Sequence, residues 1–127
     1  QGHLTEALAL DGYDLAPADP RPGGELAVTL YWQPLQALDR EYHSFVHLVD
    51  AGGQTVAQND HRPGGVYYPT TLWRPGERLR DLHTLSLPAD LPPGDYRLVA
   101  GMYAFSADGS LEGLGEPLSL GEVTVGR

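Results

Sequence analysis

Apolar residues in this chain come in short runs that alternate with polar ones, and nearly every run is closed by glycine or proline. A helix needs apolar residues at a spacing of three to four, and stretches of that kind are hard to find here; alternation over four to eight residues is the mark of a half-buried strand. The clearest case is ELAVTLYWQ (25–33), where Leu26, Val28, Leu30 and Trp32 point one way and Ala27, Thr29, Tyr31 and Gln33 the other. Gly (16 residues) and Pro (11 residues) sit between the runs, in PGG, AGG, RPGG, RPGE and PPGD, and so read as turns rather than as low complexity.

The remaining runs extend the pattern. From Leu4 to Leu15, Leu8 and Leu10 share a face until Asp11-Gly12 shifts the phase to Tyr13 and Leu15, which predicts a β-bulge or a bend. YHSFVHLVD (42–50), the turn DAGGQ and TVAQND (55–60) form a hairpin signal. RLRDLHTLSLP (78–88) is a further strand. YRLVAGMYAF (96–105) is apolar on both faces and reads as a central strand, and PLSLGEVTV (117–125) closes the chain with a second phase change at Gly121. Seven or eight strands with regular turn signals predict an all-β fold, a two-sheet antiparallel immunoglobulin-like β-sandwich, with a closed barrel as the alternative. Residues 1–127 are expected to form one domain, a piece of a longer protein. Its expected core is Val28, Leu30, Trp32, Val46, Leu48, Leu85, Leu87, Leu98 and Val99.

Charge and composition narrow the function. The net charge is −9, and the eight basic residues, all arginine, are scattered, which argues against a nucleic-acid phosphate backbone and against an anionic membrane face. Without lysine there is no Schiff-base chemistry, and without cysteine no disulfide, thiolate nucleophile or Cys-ligated zinc. No apolar run approaches the length of a spanning helix.

Candidate chemistry concentrates in 41–61. His43 and His47 lie four apart, but on a strand that is about 13 Å, too far for two ligands each within about 2.1 Å of one ion. One histidine is therefore expected in or near the core and the other near the strand end, with no metal and no cofactor. His47 with Asn59, Asp60 or His61 of the returning strand is the arrangement a site would need. SADGSLEG (106–113) lacks the acids and the glycine placement of a calcium loop and reads as a hairpin turn. No serine sits in a nucleophile elbow, and Ser44, Ser86, Ser106, Ser110 and Ser119 have no matched histidine and acid in the sequence pattern, so no enzyme activity is expected.

The stretch 61–77, HRPGGVYYPTTLWRPGE, is the longest without strand periodicity. Tyr67, Tyr68 and Trp73 give it more apolar area than a solvated loop needs, and Arg62 and Asp60 stand nearby, so Tyr67, Tyr68, Arg62 and Asp60 are the candidate ligand-binding residues. Trp73 is assigned to packing.

Read together, GYDL, PGGELAVTLYWQ, FVHLVDAGGQTVAQND, YYPT with LWRPGE, and LPPGDYRLVAGMY resemble the extracytoplasmic β-sandwich modules found C-terminal to bacterial multi-pass membrane glycosyltransferases of the protein-O-mannosyltransferase-like class. The resemblance spans nearly the whole chain. It implies a non-catalytic binding or spacing module outside the membrane, periplasmic or at the cell surface, attached to a membrane protein but not itself inserted, and it supplies no catalytic residues. It draws attention to His47, Gln58, Asp60, Tyr68, Pro69, Trp73, Gly76 and Asp81 as positions matching its pattern. A glycan or an envelope protein is the expected partner; a carbohydrate-binding module using the 61–77 loop is the alternative reading.

Overall fold

The computed structural model describes residues 2–65 and 67–126. Nine strands follow in order: β1 (Gly2–Thr5), β2 (Leu8–Ala16), β3 (Glu25–Pro34), β4 (His43–Val49), β5 (Thr55–His61), β6 (Leu79–Ser86), β7 (Gly94–Phe105), β8 (Leu111–Gly113) and β9 (Leu118–Val125). The only helical element among the described residues is a 3-10 turn at Thr70–Leu72. All pairings are antiparallel. One sheet runs β1-β2-β3-β6; the other runs β5-β4-β7, with β8 and β9 sharing the far edge of β7. The fold is the expected β-sandwich, with nine strands among the described residues in place of seven or eight. The first apolar run is not one strand: a turn at Glu6 and Ala7 folds it into the β1–β2 hairpin.

Alternation places the core between the sheets. β3 contributes Leu26, Val28, Leu30 and Trp32; β4 contributes Val46 and Leu48; β7 contributes Tyr96, Leu98, Ala100, Met102 and Ala104, all buried. Burying each leucine of this set stabilises by roughly 1.5–3 kcal/mol. Val99, expected in the core, is half-buried instead. It lies between Leu98 and Ala100, so the period of two turns it to the outer face.

Both predicted phase breaks are bulges: the β2–β3 register shifts between Leu10 and Gly12, and the β7–β9 register shifts opposite Gly121. The β4–β5 turn is closed by Asp50, whose Oδ1 accepts from the backbone N–H of Gly52 and Gln54 at 2.9 Å each. At the start of β7, the Tyr96 hydroxyl donates to the Pro92 carbonyl at 2.5 Å, the tyrosine-corner arrangement of immunoglobulin-like sandwiches.

The stretch 61–77 is held down rather than free. Thr70 is buried; its Oγ1 accepts from Tyr42 N–H at 2.9 Å and donates to the Arg40 carbonyl at 2.8 Å. Trp73 is 2% exposed and its indole N–H donates to the Tyr68 carbonyl at 3.1 Å. Gly64, at φ +84°, lies so close to that carbonyl that a Cβ would stand 2.5 Å from it.

Candidate functional site

The outer face of the β5-β4-β7 sheet carries aromatic rings where a solvated face would carry polar residues. The same alternation that sends Ser44, Val46 and Leu48 inward sends His43, Phe45 and His47 outward. Both histidines are thus on the outer face, half-buried, and neither is the core histidine expected from sequence. From β7, Tyr103 and Phe105 join them. His43 stacks on Tyr103 with centroids 5.5 Å apart and meets Phe105 edge-on at 5.3 Å, and Phe45 lies 4.8 Å from His47 and 6.0 Å from Tyr103.

Phe45 has room because its cross-strand partner is Gly101. A Cβ there would lie 2.7 Å from Phe45 Cζ, so the ring rests directly over the glycine backbone. The wall opposite is made where the chain passes from β8 to β9, at Gly113, Leu114, Gly115 and Pro117, and Leu114 N–H ties that passage to the Met102 carbonyl at 2.9 Å. Together they enclose a groove of about 370 Å³ whose polar side is His47, Gln58, Asp60 and Tyr103. The Tyr103 hydroxyl donates to Asp60 Oδ2 at 2.9 Å, while Asp60 Oδ1 faces His47 Nε2 at 3.5 Å. Burial, with the Asp60 hydrogen bond and charge added, pushes Tyr103 up to about 12, so its hydroxyl keeps its proton.

The candidate residues of the 60–68 region are dispersed. Asp60 belongs to the groove. Tyr67 is 92% exposed, as a binding ring would be, but Tyr68 is half-buried with its hydroxyl bonded to Glu77, and Trp73 is inside. Arg62 pairs with Glu41 at 2.9 Å. The three rings of 61–77 therefore do not form one exposed platform. What sequence reasoning missed was Phe45, Gly101, Tyr103 and the β8–β9 passage; the available signal was the double-faced apolarity of 96–105, which fits a central strand and an apolar outer face alike.

A second constellation lies between the sheets. Asp81 and His83 of β6, Trp32 of β3, Ser44 of β4 and Asn59 and His61 of β5 all point inward. Asp81 Oδ2 accepts from Trp32 Nε1 at 3.0 Å and Ser44 Oγ at 2.6 Å and lies 3.0 Å from His83 Nε2; Oδ1 meets His61 Nε2 at 2.5 Å. His83 Nδ1 donates to the Asn59 backbone carbonyl at 2.9 Å. Burial raises the Asp81 carboxyl, but the hydrogen bonds from His61 and His83, the charge on His83 and the Ser44 bond outweigh it and hold the group well below the usual carboxylate range.

Ser44 thus does have a histidine and an acid beside it, contrary to the sequence reading, since His83 Nε2 is 2.8 Å from its Oγ. The arrangement does not make it a nucleophile. Serine and acid meet the same ring nitrogen, whereas a triad places the acid on the other one. Ser44 and His83 are also fully buried. His61, Asp81 and His83 offer ligand atoms within 4.8 Å of one another, a spacing that could hold a metal ion, but as placed their imidazoles do not aim at one point. The two imidazoles are stacked, centroids 4.0 Å apart and planes within 16°, and an ion about 2.1 Å from each nitrogen would have to lie near both ring planes at once.

No protein-family model matches the chain, and no curated protein matches it. Solved structures share the fold. The C-terminal domain of wzt superposes at TM-score 0.59 with 14% identity, over 100% of this chain and 75% of that one. An alkylpurine DNA glycosylase, AlkC of Pseudomonas fluorescens, solved on DNA containing an abasic-site analogue, matches at TM-score 0.55 and 11% identity over 97% of this chain and 31% of that one. A β-glucosidase from Listeria innocua, solved with glucose, matches at TM-score 0.54 and 18% identity over 94% of this chain and 16% of that one. At these identities the likeness is one of fold.

Proposed function

We propose that this domain is a non-catalytic, extracytoplasmic sugar-binding module of a bacterial envelope protein, and that its ligand lies in the groove on the outer face of β4 and β7. The observation that carries the reading is the groove itself: the Phe45 ring over Gly101 with Asp60, Gln58 and Tyr103 at its side. Sugar rings present apolar C–H faces and polar hydroxyl edges, and proteins meet them with an aromatic surface beside a few placed polar groups. Leu111, 60% exposed, lines the groove, and Phe105, 53% exposed, extends the apolar face beyond it. An apolar patch on a sheet that has no core to cover is the kind of surface that marks a binding site. The neighbour solved with glucose resembles this chain in fold, so the groove's own residues bear the argument.

A glycan array probed with the wild-type domain, Phe45→Ala, Tyr103→Ala and Tyr67→Ala tests the reading. Binding is expected for the wild type and for Tyr67→Ala, and about tenfold or weaker binding for the two groove variants, the loss of one stacking ring and its hydrogen bond. Melting temperatures of the groove variants should stay close to that of the wild type. If Tyr67→Ala alone abolishes binding, the ligand sits on the 61–77 loop; if the wild type binds no glycan, the domain is a spacer.

A further inference from the structure

Resting on the sugar-binding reading, we infer that the groove selects uncharged sugars that donate hydroxyl hydrogens to Asp60, and excludes sugars bearing carboxylate or phosphate. The groove's polar side is built mainly of acceptors. Asp60, the one carboxylate among the lining residues, is 26% exposed in its side chain and can only accept while ionised. Its Oδ2 is held by the Tyr103 hydroxyl, which spends that donor inside the protein and leaves the phenolic oxygen as a further acceptor. Oδ1 faces His47 Nε2, which is covered from solvent and at 3.5 Å makes no hydrogen bond to it and an ion pair only when that imidazole is protonated. Of the lining side chains, only Gln58 offers amide donors at that edge.

No arginine lines the groove to meet an anion. The two at the neighbouring end of the same face are already paired, Arg40 with Glu112 and Arg62 with Glu41. An acidic sugar would therefore bring acceptor against acceptor and charge against like charge, on a chain whose net charge is −9. A hydroxyl pair on a neutral ring does the reverse, donating to an ionised oxygen in charge-assisted bonds while its C–H face covers Phe45.

The test is calorimetric titration of the whole domain with neutral mannan and glucan fragments and with polygalacturonate fragments, repeated for Asp60→Asn. Neutral fragments are expected to bind, acidic ones at least about tenfold more weakly. Asp60→Asn should lower affinity for the neutral fragments by about tenfold and narrow the gap to the acidic ones. Equal or tighter binding of polygalacturonate by the wild type, or unchanged affinity in Asp60→Asn, overturns the selectivity while leaving a sugar-binding module standing. Failure to bind either class overturns both readings. A circular dichroism melt of Asp60→Asn that matches wild type separates lost recognition from lost folding.

Discussion

Burying a carboxylate between two sheets is expensive unless donors meet its oxygens, and Asp81 is met by Trp32, Ser44, His61 and His83. Removing it leaves those polar groups buried without their acceptor. Asp81→Ala is therefore expected to destabilise the domain by about 3–5 kcal/mol, read from the urea midpoint. The same network sets a pH dependence. The native carboxyl titrates below its unfolded counterpart, so the unfolded chain takes up the proton first as acid is added. Its contribution is complete above about pH 5 and is lost progressively as the pH falls through about 4 toward the lower native value. Asp81→Asn should flatten that part of the stability–pH curve; an unchanged slope between about pH 5 and 3 would contradict the argument. The surface carboxylates Glu77, Asp108 and Glu112, also held low by their hydrogen bonds, remain in the variant and supply its residual acid sensitivity. The residue types of the network were all visible in the chain, and Asp81 was noticed. What alternation could not reveal was that His61 and His83, on edge strands of different sheets, meet at one carboxylate.

At the scale of elements, β4 and β7 do two things at once. Their inner faces build the core, and their outer faces, paired Phe45 to Gly101 and His43 to Tyr103, build the groove. Gly101→Ala tests the coupling. The added methyl would drive the Phe45 ring from its place, so sugar binding should fall while stability drops only by about 1–3 kcal/mol, the cost of local overpacking. Calorimetry with the best-binding glycan, beside a urea titration, separates the two effects; intact binding would show that Phe45 is not the floor. Gly64→Ala is a different case. There the new Cβ meets backbone, the Tyr68 carbonyl, at a positive φ that an alanine rarely adopts. That substitution should lower the melting temperature and loosen the 61–77 segment to protease without touching the groove.

For the whole molecule, the sandwich stands without a disulfide, as a cysteine-free chain must, and its core carries the load. Leu30→Ala should cost about 2–5 kcal/mol in the urea midpoint, since that side chain is fully buried. Because His61 and His83 are stacked rather than convergent, neither chelator nor added zinc should move the melting temperature. A rise of several degrees with zinc would mean that the folded state binds it and that His61 turns to do so. The period of two, the glycine phase breaks and the proline-bounded turns determined by themselves that the chain is all-β, that β7 lies inside its sheet, and which face of β3 is buried. Those are local properties, written wherever side chains must alternate across a pleated strand. Only the tertiary structure decided where the site lies. It needed the pairing of β4 with β7, the placement of the β8–β9 passage beside Gly101, and the approach of β5 to β6 across the open edge of the sandwich. Contacts between residues distant in sequence follow from how strands are ordered in space, and a strand's own alternation carries no record of its neighbours.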